Sequence, residues 1–250
     1  MAQSTGSRAE LTTMLVDANH ILFSEGVLDA FGHVSVRDPE AADRFLIARS
    51  MAPALVAAED IVACDLDGTL HDDRQRRSYV ERFIHSEIYR ARPDVQAVVH
   101  SHSPCLIPFG ITGARLRPVC HMSGFLGSKG PPVFEIRDAI GESSDLLISN
   151  RMLGESLART LGDAAMVLMR GHGSTAVGFS LQQAVHRAVY AENNARLQLQ
   201  AMPLGEITYL SEEEARLTDA ANDVHLDRPW QLWVRKARRH VAELTGGDSA

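Results

Sequence analysis

The sequence predicts one mixed α/β domain, and three observations lead there. Short apolar runs of four or five residues alternate with longer stretches in which apolar residues recur every three or four positions. Glycine-bearing turns separate the two kinds of segment. No internal repeat, low-complexity tract or convincing linker divides residues 1–250, a length that one large core can still serve.

Leu11, Met14, Leu15, Ala18 and Leu22 mark an amphipathic helix from about Arg8, stopping near Gly26 where a left-handed cap is unstrained. Phe31 to Arg37 reads as a turn at Gly32 entering an alternating strand, broken by Asp38-Pro39. Phe45–Ala48 and Ile61–Cys64 are further short strands, and Asp67-Gly68 is a hairpin turn. Val80, Phe83, Ile84 and Ile88 place a helix over Ser78–Arg90, with Glu81 and His85 four apart on a neighbouring face. Arg92-Pro93-Asp94 ends that helix and leads into an apolar strand at Ala97. The Gly-, Ser- and Pro-rich tract from His121 to Pro132 reads as a long loop of the kind that is often functional. Leu146–Ile148 is expected as a strand, followed by a helix to about Leu161, and Met166–Met169 as a buried strand. Ser180–Gln183 is a capping box opening a helix with a stripe of Ala184, Ala188, Ala191 and Ala195. Ser211 with Glu212, Glu213 and Glu214 starts another helix, and the last begins near Pro229 with Trp230 and Trp233 as core or interface residues.

Composition narrows the function classes. Hydrophobic residues at 45% and charged residues at 23% are ordinary for a soluble protein. A formal net charge of −7 gives no grip on a nucleic-acid backbone, so no nucleic-acid partner is expected. Arg235, Lys236, Arg238 and Arg239 read as a solvated helix face. Cys64, Cys105 and Cys120 are odd in number and widely spaced, which suits free thiols in a reducing cytoplasm. The N-terminus lacks a signal-peptide pattern, and no apolar run nears the roughly 20 residues that span a bilayer, so a cytoplasmic protein without a membrane partner is expected.

Chemistry concentrates in Ala97-Val98-Val99-His100-Ser101-His102. Residues two apart in a strand share a face, so His100 and His102 present two imidazoles side by side. Such a pair can hold a divalent Zn, Fe, Cu or Ni ion, or can simply be two strand-end residues bonded to backbone. His172, between Gly171 and Gly173 at the end of an apolar strand, is the obvious third donor. Three imidazoles leave a position open for substrate or water. The helix before the histidine strand lets Glu81 or His85 project toward the same point. Asp65-Leu66-Asp67-Gly68-Thr69 also matches the nucleophile motif of haloacid-dehalogenase-type phosphatases. Lys129 and Lys236 are the only lysines and no suitable acidic pair accompanies them, so a hairpin turn is the simpler reading.

With these residues in place, the chain resembles the class II aldolase/adducin family. There an acidic residue on a helix precedes a strand bearing H-x-H, and a later H-G turn supplies a third ligand. Glu81, His100, His102 and His172-Gly173 follow that order. Gly32 with Val34, Ser35 and Arg37 resembles the family's substrate-approaching glycine loop, and Asp60-Ile61-Val62 with the Asp67-Gly68 hairpin is similar too, over about residues 8–200. The resemblance implies a central mixed, mainly antiparallel β-sheet flanked by helices. It further implies one divalent metal ion per subunit (zinc, manganese, iron or cobalt) on His100, His102 and His172. It also implies a homotetramer in which Tyr209 completes a neighbour's pocket. All three histidines are retained, which argues against an adducin-like structural role.

Departures from the family's aldolases refine this. Their T-x-S-G phosphate loop is Arg49-Ser50-Met51-Ala52-Pro53 here, their serine pair is Tyr79-Val80, and their glycine-loop Asn is His33. The changes remove small donors that a phosphate needs. Arg49, Arg76 and Arg77 offer forked cations that suit planar carboxylates. Glu81-Arg82-Phe83-Ile84-His85 and Gly32-His33-Val34-Ser35 look like the family's decarboxylases of hydroxypyridine dicarboxylates or dihydroxyphthalates. The expectation is a metal-dependent, non-oxidative decarboxylase of an ortho-hydroxylated aromatic carboxylic or dicarboxylic acid. Glu81 or His33 would return the proton to carbon, and Arg49, Ser50, Arg76, Arg77, Gly32 and Tyr209 would surround this small aromatic carboxylate. The alternative is an aldolase or epimerase acting on a small hydroxy-carbonyl compound or sugar phosphate.

Overall fold

The computed structural model describes residues 6–71, 74 and 76–246. Strands β1 (His33–Arg37), β2 (Arg44–Ala48), β3 (Ile61–Asp65), β4 (Leu70–His71), β5 (Ala97–Ser101), β6 (Val133–Phe134), β7 (Met166–Met169) and β8 (Gly173–Gly178) join in one sheet. Its order is β4-β3-β2-β1-β5-β8-β7-β6, antiparallel throughout except for the parallel β6–β7 edge pair. The helices are α1 (Arg8–Ser24), α2 (Arg82–Ala91), α3 (Ile107–Ile111), α4 (Arg137–Ile140), α5 (Arg151–Leu161), α6 (Leu181–Ala201), α7 (Glu212–Asp223) and α8 (Asp227–Leu244). This is a mixed α/β domain with a mostly antiparallel central sheet.

Alternation along the strands feeds two cores. Val34, Val36, Leu46, Ala97, Val99, Leu168 and Ala176 pack with residues of α1, α6 and α8. Their neighbours Phe45, Ile47, Val62, Val98, Val167 and Val177 face the other way, onto α2 and α5. With both faces covered, all five residues of β5 are buried, including its polar end. The α6 alanines 184, 188, 191 and 195 are buried in the first core, and Trp233 lies beside Tyr190 and His186 as a core residue. The basic face of α8 does more than meet solvent: Arg238 forks onto Asp17 and Lys236 reaches Glu25, tying α8 to α1. No helix of the described residues is long and apolar enough to cross a membrane, and the three cysteines are unpaired.

Four local expectations need correction. Leu146–Ile148 is not a strand; it is an irregular segment with Leu146 at φ 66°, and Ile148 is buried in the second core. The expected Ser78–Arg90 helix begins only at Arg82, which makes Glu81 the N-cap residue and takes it off the helix face. The His121–Pro132 loop opens with a 3₁₀ turn (His121–Leu126) whose Gly124 packs against the α7 backbone at Ala215. At Ser180, only half of the capping box forms: Ser180 Oγ accepts from Gln183 N, while Gln183 Oε1 accepts from Phe179 N. The Asp65 motif is a turn, as expected. Asp65 Oδ1 accepts from Asp67 N and Thr69 N, and its Oδ2 faces His71 Nε2 at 3.1 Å, so the carboxylate holds the hairpin.

Candidate metal centre

Three neighbouring strand ends converge on one point. β5 carries His100 directly opposite His33 of β1, and His102 lies one residue beyond its end. The β7–β8 turn, closed by His172 N donating to Met169 O, delivers His172 to the same place. This turn lies so close to β5 that a Cβ on Gly173 would sit 2.0 Å from Ser101 O. Gly32 answers a similar need on the other side. At φ 87° it brings His33 beside β5, and a Cβ there would meet Leu28 Cδ2 at 2.4 Å and His100 O at 3.0 Å.

His102 Nε2 lies 3.3 Å from His100 Nε2 and 3.0 Å from His172 Nε2. Glu81 Oε2 is 3.5 Å from both His100 Nε2 and His172 Nε2. The four donor atoms all fall within 4.8 Å of one another. Tetrahedral ligands at zinc-like bond lengths stand roughly 3.4 Å apart, so this spacing fits a single ion. The donors are also oriented for it. His100 Nδ1 lies 3.1 Å from Ser174 O, which accepts the ring proton and turns the Nε2 lone pair inward. Glu81 Oε1 accepts from Ile148 N at 3.0 Å, leaving Oε2 to the histidines. His172 Nδ1 is buried without a partner among the described residues. Burial pushes the Glu81 pKa up, but His100 and His172 outweigh it and hold the carboxyl far below its ordinary range. His102 is lowered to about 4, by burial first and by His100 and His172 next, so its ring is the neutral form that a metal requires.

Other expected residues fall around or away from this point. The His33 ring centroid is 5.0 Å from that of His100 and 4.5 Å from that of Tyr79. His85 does not reach the cluster; its Nε2 is 2.6 Å from His33 Nδ1. Arg49 Nε donates to Asp60 at 2.7 Å, and Ser50 N donates to Arg77 O. Tyr79 Oη donates to Met51 O, which holds the 49–53 loop close to His33. Arg76 donates to the Glu59 carbonyl. Arg76 and Arg77 line a pocket of 320 Å³ with Gly68 and Arg82, and none of the four cluster residues borders it. Tyr209 stacks 4.1 Å beneath the Arg117 guanidinium and accepts from Gln198, so within one chain it serves that contact. Phe31 was not singled out from sequence. It is 67% exposed with its ring 6.4 Å from His102, and only its place beside Gly32 hinted at this.

Residues 13–199 match the family described as "Class II Aldolase and Adducin N-terminal domain". The decarboxylase tropJ of Talaromyces stipitatus is 42% identical, with 87% of this chain and 90% of that protein covered. A 3,4-dihydroxyphthalate decarboxylase of Arthrobacter keyseri is 31% identical over 75% of this chain and 77% of its own length. Among solved structures, an aldolase II superfamily protein of Pseudomonas syringae superposes with a TM-score of 0.78 at 24% identity, covering 95% of this chain and 96% of that one. The chain therefore belongs to the class II aldolase and adducin family, and its decarboxylase relatives support a carboxy-lyase.

Proposed function

We propose that the protein is a metal-dependent, non-oxidative decarboxylase of an ortho-hydroxylated aromatic carboxylic or dicarboxylic acid. The observation that carries this reading is the convergence of three imidazole nitrogens and one carboxylate oxygen within 4.8 Å, beside a loop that has lost the small donors of a phosphate site. His100, His102 and His172 would hold the ion, with Glu81 alongside. A divalent ion there supplies a Lewis acid for the ring hydroxyl and adjacent carboxylate. The chain's residues do the rest. The Ser174 carbonyl and the Ile148 N–H keep His100 and Glu81 aimed at the centre. Phe31 offers an aromatic face at the rim. Arg49, held by Asp60 through Nε, would direct its guanidinium edge to a carboxylate that remains on the ring. Ser50, Gly32, Arg76 and Arg77 would supply the remaining contacts to the substrate. His33 or Glu81 returns a proton to the carbon that has lost carbon dioxide.

The protein is proposed to work as a cytoplasmic homotetramer, with Tyr209 completing a neighbouring subunit's pocket. A monomeric mass in solution with full activity would rule that assembly out. The test of function is metal analysis of the purified protein, then a carbon dioxide release screen on hydroxyphthalates, hydroxybenzoates and pyridine dicarboxylates. Release from at least one class is expected. Cleavage of a sugar phosphate without release from any aromatic acid would replace this reading with the aldolase one.

A further inference from the structure

Behind His33, a chain of buried polar side chains runs away from the metal centre and stops inside the protein. His33 Nδ1 lies 2.6 Å from His85 Nε2, His85 Nδ1 lies 2.6 Å from Ser35 Oγ, and Ser35 Oγ lies 2.8 Å from Tyr89 Oη. His85 and Ser35 are fully buried, and Tyr89 nearly so. His33 and Ser35 share one face of β1, while His85 and Tyr89 stand one turn apart on α2, so two elements assemble the whole chain.

Counting protons orients it. Each of the three contacts accommodates one proton between its heavy atoms. The neutral groups carry four: the phenol, the hydroxyl and one on each imidazole. Ser35 Oγ has no third partner among the described residues, so its own proton stays within the chain and the surplus one must emerge at an end. At the Tyr89 end it has nowhere to go, because Ser35 Oγ is the only acceptor facing the phenol among the described residues, and the nearby Val98 N–H is itself a donor. A buried O–H without an acceptor is costly. The phenol accordingly donates to Ser35, Ser35 donates to His85 Nδ1, and His85 Nε2 donates to His33 Nδ1. The surplus proton stands on His33 Nε2, which has no protein partner among the described residues. Burial holds the His85 pKa down at about 3, so His85 itself takes up no second proton at neutral pH.

We propose that His85, Ser35 and Tyr89 are positioning residues that lock His33 in its Nε2–H form, making His33 the proton donor of the decarboxylation. The tautomer stands on the hydrogen-bond geometry of neutral rings; the donor role rests on the decarboxylase reading above. When the bond to the departing carboxylate breaks, its electron pair stays on the ring carbon and carbon dioxide leaves. That pair takes the Nε2 proton, and the imidazolate nitrogen regains one from solvent water, with hydroxide released. Glu81, shared between Ile148 and the histidine cluster, is then left to the metal.

The experiment is ¹⁵N NMR of histidine-labelled protein, metal-free or zinc-loaded, with His33→Gln identifying the His33 signals. The expected spectrum has a protonated Nε2 and an unprotonated, hydrogen-bonded Nδ1. His85→Leu should move the Nδ1 signal toward that of an unbonded ring nitrogen. It should also lower kcat at least tenfold, with KM and metal content unchanged. His85→Gln can still accept from Ser35 and donate to His33, so it should retain both the signal and the turnover. A His33 protonated on Nδ1, or on both nitrogens, overturns the proposal, and that readout needs no variant to fold. So does a His85→Leu protein with unchanged signal and kcat. An Nε2–H His33 in a protein that releases carbon dioxide from no aromatic acid keeps the tautomer and overturns the donor role.

Discussion

Glu81 uses its two oxygens differently: Oε1 is anchored to the Ile148 N–H, and Oε2 faces His100 and His172 at 3.5 Å. The histidines are more exacting, because each meets the centre through a single Nε2. His172→Ala is expected to lose most bound metal while the fold persists, since the residue is at a turn and only partly buried. Metal content per chain by elemental analysis checks this, and full occupancy would remove His172 from the centre. Asp60 accepts from Arg49 Nε and Ala57 N. Burial pushes its pKa up, but those two partners bring it below the usual 3.8. Its contribution is complete above that unfolded value and disappears as pH falls through the lower folded one. Asp60→Asn should cost about 1 kcal/mol near neutral pH, below the usual range for charge-assisted bonds because Arg49 is partly exposed to solvent screening. Urea midpoints of the two proteins measure it, and they should draw together in acid.

At the scale of elements, the β7–β8 turn and β5 behave as one unit. Gly173→Ala would place a methyl carbon 2.0 Å from Ser101 O, and backbone cannot yield as a flexible side chain does. Either β8 shifts from β5 or the turn distorts; both displace His172. The expected result is a loss of 1–3 kcal/mol or more in stability together with weakened metal binding. A thermal midpoint and metal content equal to the unmodified protein's would show that the approach is looser than described. Helix α2 has a similar double duty. Its start sets Glu81 at the cluster, and its second and third turns bring His85 and Tyr89 under β1.

The whole molecule holds several neutral imidazoles in its interior, and this makes it acid-sensitive before its carboxylates protonate. Burial lowers His186 to about 4 and His85 to about 3, against 6.5 when unfolded. Between those values the unfolded chain binds protons that the folded chain does not. Stability therefore starts to fall as pH drops below about 6.5, by at most about 1.4 kcal/mol per pH unit for each such ring. His186 lies outside the metal centre, between Tyr190, Phe125 and Trp233, and His186→Phe should flatten this part of the profile. Urea unfolding from pH 7 to 4 checks it, and parallel slopes for the two proteins would assign the acid sensitivity elsewhere.

What the sequence by itself determined is local and periodic. The two-residue spacing of His100 and His102 put both on one face because strand geometry has that period. The stripes of α1 and α6, the Asp67-Gly68 turn and the His172-Gly173 turn were legible for the same kind of reason. β8 was not, since Gly-Ser-Thr-Ala-Val-Gly carries no apolar run and forms a strand only between β5 and β7. Leu146–Ile148 looked like a strand because it is apolar, yet its place is set by burying Ile148 and by giving an N–H to a carboxylate 67 residues earlier. The same holds for the chain from His33 to Tyr89, whose spacings of two in β1 and four in α2 were visible separately. Their pairing across 50 and more residues is decided by packing α2 on the sheet, where burial obliges each polar atom to find the partner that the fold brings to it.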